Sequence, residues 1–150
     1  MSSSIGSSGK RSSAIAFLPI KPQYAHRIVS GEKRFEFRKA TFASHVSHIV
    51  IYASTPVKKI VGVAEVSSID SSSPSATWES TKHAAGISRS AFRAYFLGKK
   101  RAYSIALEGV RALENWVSPN EIEEGFKVPQ SFAYVGAPFL KRVLRKGRAL

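Results

Sequence analysis

Apolar residues in this chain come in short runs, each closed by proline, glycine or a cluster of serines, and that punctuation is the strongest constraint on what it can fold into. No run approaches the length of a membrane span. Residues 14 to 20 are apolar and ended by proline, which suits a buried strand. Pro22 then opens a helix where its missing N–H costs nothing. Tyr24, Ala25, Ile28 and Val29 recur at helical spacing, and Gly31 supplies the stop. Residues 48 to 53 and 59 to 69 read as further strands, separated by the turn Ser54-Thr55-Pro56, with a bend or bulge expected at Gly62.

The middle of the chain changes period. Ser71-Ser72-Ser73-Pro74 caps a short helix expected over residues 77 to 83 with Trp78 on its buried side, and Gly86 ends it. Ser88 caps a second helix with Phe92, Tyr95 and Phe96 as its apolar stripe, stopped by Gly98. Strands follow at 102 to 107 and 110 to 113. Ser118-Pro119-Asn120-Glu121 is a capping box opening a short helix that runs to Gly125, and 129 to 135 make a last strand. Five or six short strands interrupted by small helices predict an α+β fold, a compact mixed barrel and not a doubly wound parallel sheet. Residues 1–13, rich in serine and glycine, read as a flexible leader, 14–136 as the folded domain, and 137–150 as a basic extension in which Phe139, Leu140, Val143 and Leu144 can dock.

Charge narrows the partner. Lys and Arg number 23 against 10 acids, a formal net charge of +13. Seven of the cations (Lys10, Arg11, Lys141, Arg142, Arg145, Lys146 and Arg148) lie at the two ends, so of the +13 a net +6 remains on residues 12 to 140. A body this basic favours a polyanionic partner. There are no cysteines, which removes disulfides, thiolate metal sites and a cysteine nucleophile, and fits a cytoplasmic protein. His45-x-x-His48 has no carboxylate nearby to complete a metal site, so neither metal nor cofactor is expected. No glycine-rich phosphate loop or dinucleotide fingerprint occurs.

Residues 30 to 39, Ser-Gly-Glu-Lys-Arg-Phe-Glu-Phe-Arg-Lys, hold the densest chemistry. Alternation along a strand sends Phe35 and Phe37 one way and Arg34, Glu36 and Arg38 the other. That second face would present guanidinium forks around a carboxylate, a set suited to phosphate. A solvated face with an internal ion pair explains the same residues. On a regular strand Lys33 and Glu36 would face opposite ways, but Gly31 allows Lys33 to lie in the preceding turn.

Several segments in order, Leu18-Pro19-Ile20-Lys21-Pro22-Gln23-Tyr24-Ala25, Ile28-Val29-Ser30-Gly31-Glu32-Lys33, Phe35-Glu36-Phe37-Arg38, Ile51-Tyr52-Ala53-Ser54-Thr55-Pro56-Val57, Ile60-Val61-Gly62, Trp78 and Pro129-Gln130-Ser131-Phe132, resemble the ASCH domain family of the PUA-like superfamily. The resemblance spans roughly residues 15 to 136 and implies a small PUA-like β-barrel with a cleft that binds RNA or nucleotides. It carries Lys33, Glu36 and Arg38 over as cleft residues, with Lys21, Tyr52 and Ser54 nearby. Lys and Arg can hold phosphate, Glu36 can accept from a base amino group, and Tyr52 or Trp78 offers a stacking face. Trp78 and Tyr95, at helical spacing beside other apolar residues, are more often core than stacking faces, and Gln130 and Ser131 either join the site or satisfy backbone groups at a strand entrance.

An RNA-binding module is therefore expected, with DNA as an alternative partner and no membrane role. A metal-independent hydrolase using Lys33 and Glu36 is the other reading. Members similar to this family include an amidohydrolase acting on a modified cytidine through a lysine, a threonine three residues later and a separate glutamate. Lys33 matches the lysine, but Glu36 stands at the threonine position and no glutamate occurs around Ala85, so a hydroxyl nucleophile and its base are both unmatched. A ribonuclease remains the enzymatic expectation.

Overall fold

The apolar run from Ala14 onward is wrapped on both faces. The computed structural model describes residues 13–150. Its elements are β1 (Ala14–Ile20), α1 (Pro22–Val29), β2 (Phe35–Arg38), β3 (Val46–Ala53), β4 (Lys59–Ser72), α2 (Pro74–Thr81) tightening into a 3-10 turn (Lys82–Ala84), α3 (Arg89–Tyr95), β5 (Ala102–Val117), α4 (Pro119–Ile122), β6 (Ala133–Val135) and α5 (Ala137–Lys146). The strands form one six-stranded sheet in the order β2-β5-β4-β3-β1-β6. Among the described residues only β1 and β3 pair in parallel; the other neighbours are antiparallel. The fold is the expected α+β class, with a curled sheet that does not close on itself.

Alternation explains the burial. Ala16, Leu18 and Ile20 of β1 and Ile49, Ile51 and Ala53 of β3 join the inner core with Ala25 and Ile28 of α1. Ile15, Phe17, Val50 and Tyr52 point to the other face, where Phe139 and Val143 of α5 cover them. Successive residues thus face opposite cores, and both cores are apolar, so these strands read as continuous apolar runs. A third cluster holds Phe37, Ala85, Phe92 and Phe96, with Phe35 and Trp78 packed against it.

Several boundaries differ from those the sequence predicts, each for a local reason. At residues 102 to 117 there is one strand where two were expected, because Gly109, at φ 54°, forms a bulge and the ladder with β4 resumes at Arg111. Helix α2 starts at Pro74, since the Ser73 hydroxyl accepts from the Ala76 N–H at 3.2 Å. The last strand is only Ala133–Val135: continuing its register with β1 would set Ser131 opposite Pro19, which has no N–H to donate. The expected bulge at Gly62 is present as a register shift beside it, and a Cβ there would stand 2.6 Å from Val29 Cγ1, so the glycine lets α1 lie on the sheet.

The carboxy-terminal residues are integrated into the molecule. Phe139 and Val143 of α5 are buried against the sheet, and Leu150 N–H donates to the Ala112 carbonyl at 2.9 Å. The leader lies outside the described residues except for Ser13. Among the described residues no helix is long and apolar enough to cross a membrane.

Candidate functional site

Strand β2 is an edge of the sheet, yet the Arg38 guanidinium donates from Nη2 to the Pro19 carbonyl of β1 at 3.2 Å. The sheet therefore curls until its β2 edge approaches β1, and the unclosed seam leaves a cleft of about 470 Å³. Pro19, Ile20 and Lys21 line one side and Glu36, Phe37 and Arg38 the other. Lys33 and Tyr24 reach in from one end, and α3 contributes Tyr95 to the wall. A cleft of this size at the mouth of a barrel-like sheet is a common place for a small ligand or one residue of a polymer.

Lys33 gets there through backbone geometry. It precedes β2 in irregular backbone, where its N–H donates to the Arg27 carbonyl at 2.9 Å. The side chain runs inward with only 2% of the residue exposed, and Nζ donates to the Ala85 carbonyl at 2.8 Å. Gly86, at φ 63°, lies so close that a Cβ would fall 2.6 Å from Lys33 Cγ. That loop is stitched on by Arg34 N–H to Ala84 O at 2.9 Å and Arg27 Nη1 to Gly86 O at 3.0 Å. Nζ also stands 4.5 Å from the Phe37 ring centroid and 5.4 Å from that of Tyr24.

Glu36 is also buried, 7% exposed, with Oε2 at 3.3 Å from Arg38 Nε. Burial pushes its carboxyl above the ordinary carboxylate range, against the opposing pull of Arg38 and Lys33. Burial likewise lowers the Lys33 ammonium from 10.5 to about 8, with Glu36 pulling the other way and Arg27 adding to the fall. Two ionisable groups held off their usual values in one cleft can take up or release protons nearer neutrality than ordinary carboxylates and amines do. Arg34 does not join them: it is exposed, and its place in the fold is a backbone contact to the 3-10 turn.

The other residues singled out in the sequence lie elsewhere. Tyr52 is paired across the parallel ladder with Pro19, but its ring packs on Phe17 at 5.2 Å between centroids and the residue is 6% exposed, which removes it as a stacking platform. Ser54 donates its N–H to the Ile20 carbonyl at 2.9 Å, just beyond the cleft wall. Gln130 and Ser131 are exposed in the segment before β6 and do not line the cleft. Trp78 is half-buried against Phe92 in a separate groove. Lys21, Lys33, Glu36 and Arg38 are the four that converge. Sequence reasoning did not assign Tyr24 or Tyr95 to the cleft, because each also fits the apolar stripe of its helix.

A family model described as the ASCH domain matches residues 18–132. A protein of Zymomonas mobilis subsp. mobilis named "ASCH domain-containing ribonuclease" is 31% identical over 123 residues, covering 80% of this chain and 83% of that protein. The crystal structure of ASCH from Zymomonas mobilis superposes with a TM-score of 0.80 at 27% identity, over 87% of this chain and 94% of that one. The N-terminal domain of Staphylothermus marinus McrB is alike in fold, with a TM-score of 0.58 at 15% identity over 88% and 93% of the two chains.

Proposed function

The chain belongs to the ASCH domain family, and from that premise we propose that it acts on RNA and that the seam cleft is where RNA binds. The observation that carries the reading is the convergence of Lys21, Lys33, Glu36 and Arg38 in one cleft walled by Tyr24, Phe37 and Tyr95. In this reading Arg38 and Lys21 hold phosphate, Glu36 accepts from a base amino group, and Tyr24 or Tyr95 stacks on the base.

A second reading, favoured by the name of the Zymomonas relative, is metal-independent cleavage in the same cleft. Glu36 in its ionised form would take the proton of a ribose 2′-hydroxyl as that oxygen attacks phosphorus, while the bond from phosphorus to the 5′-oxygen breaks and the leaving oxygen takes a proton from the Lys33 ammonium, giving a 2′,3′-cyclic phosphate and a free 5′-hydroxyl. Lys33 and Arg38 would hold the charge that develops on the phosphoryl oxygens.

One experiment separates the two. Labelled single-stranded RNA, duplex RNA and DNA are incubated with the protein across a salt series, following binding and product length together. Binding is expected to prefer RNA and to weaken steeply with salt, because each phosphate contact releases counterions. Arg38→Ala is expected to cost about 1–3 kcal/mol of affinity; unchanged affinity refutes the cleft as the RNA site. Cleavage that vanishes in Glu36→Gln while binding persists selects the second reading.

A further inference from the structure

Helix α3 has two lined faces. Ala91, Ala94 and Tyr95 look into the seam cleft. Arg89, Phe92, Arg93 and Phe96 look into a second groove of about 440 Å³ between α3 and α2. Residues three and four apart share a helix face, so the two sets lie on opposite faces of α3, which stands between the two sites as a common wall.

The second groove combines an aromatic surface with a basic rim. Phe92 and Phe96 are buried, and Trp78 leans on Phe92 at 5.1 Å between centroids while remaining half-buried. Arg89, Arg93 and Lys99 are all exposed at its edge. Among the described residues Glu79 is the one acid lining it, and its Oε1 already accepts from Lys82 Nζ at 2.7 Å. Aromatic faces interleaved with cations are what single-stranded nucleic acid uses: every base has a π-face, and its phosphates need counter-charge. The charge disfavours a basic or neutral occupant, and the shared wall sets this groove and the cleft on opposite sides of one helix, whose width is about 10–12 Å with side chains.

We propose that this groove is a second nucleotide site, in which a base of the same RNA strand stacks on Trp78 while Arg89, Arg93 and Lys99 hold its flanking phosphates. The proposal rests on the reading of the seam cleft as an RNA site. It gives the protein a footprint of several nucleotides, at the short end of the roughly 4–16 that single-strand-binding folds span, and it makes affinity depend on oligomer length.

The chain contains two tryptophans, so Trp116→Phe leaves Trp78 as the sole indole reporter. That variant is titrated with a nucleoside monophosphate and with single-stranded RNA of two, four and eight nucleotides, with and without Arg89→Ala and Arg93→Ala together. RNA of four or more nucleotides is expected to quench Trp78, and the monophosphate is not. The double substitution should weaken binding of the eight-nucleotide RNA about tenfold and lower its salt slope by about two, leaving the monophosphate unaffected. Unchanged emission together with unchanged affinity in the double variant overturns the proposal. So does quenching by a polyglutamate peptide but not by RNA, which would make the groove a site for acidic protein segments. If Arg38→Ala leaves eight-nucleotide RNA binding intact while the double variant loses it, the groove stands and the seam-cleft reading falls.

Discussion

Burying the Lys33 ammonium makes a quantitative demand on stability. Its folded pKa of about 8 lies below the ordinary 10.5, chiefly because burial disfavours the charged form. Between those values the unfolded chain holds a proton that the native chain has released, so stability rises with pH across that window. Below about pH 8 both states carry the proton and the native state bears the full cost; above 10.5 neither carries it and the cost is gone. At about 1.4 kcal/mol per pH unit the interval from 10.5 to about 8 amounts to about 3 kcal/mol. Other lysines and tyrosines titrate in the same range, so the assay needs a reference. Urea unfolding of the native sequence and of Lys33→Met is compared at steps from pH 7 to 10.5, and the difference in unfolding free energy is plotted. The native sequence is expected to gain about 3 kcal/mol relative to the variant over that range, with most of the change above pH 8. A flat difference refutes the reasoning, because it would mean that Lys33 keeps the solvation and pKa of a surface lysine. Glu36 acts with the opposite sign on the acid side: its folded pKa is raised, so stability falls as pH climbs from 4.5 through the folded value.

Further outcomes follow from the same contacts. Gly86→Ala puts a Cβ against Lys33 at a left-handed φ of 63°, and should lower stability by at least the 1–2 kcal/mol that such backbone costs, about that or more by urea unfolding, while weakening RNA binding through a displaced Lys33. Phe139→Ala removes the ring that packs 6.2 Å from Phe17 and 5.3 Å from Phe126, with an expected loss of about 3–5 kcal/mol; a loss below about 1 kcal/mol would show that α5 is not part of the core. RNA affinity measured from pH 7 to 9 should fall as Lys33 loses its charge, and Lys33→Met should abolish that component of the pH profile.

Much of the fold was legible because its determinants are local. Pro22 at a helix start, Gly31 at its end, the Ser118-Pro119 capping box and the continuous apolar run of β1 each act within a few residues. The family segments were equally readable, being contiguous. The pairing of Glu36 with Arg38 follows from their spacing of two along a strand, which puts both side chains on one face.

What the chain order could not reveal depends on residues brought together from afar. Lys33 enters the cleft because a loop some fifty residues later, Ala85 and Gly86, accepts its ammonium and leaves room for its stem; no pattern around Lys33 records that partner. Arg38 lies beside Pro19 because the sheet curls, and curling is the sum of twist and bulges over six strands. Trp78, Tyr24 and Tyr95 all carry aromatic rings at helical spacing, and periodicity assigns each to an apolar stripe. Which ring faces a core, a cleft or a groove was decided only when the helices met the sheet, since side-chain exposure depends on the surface opposite and not on the sequence beside it.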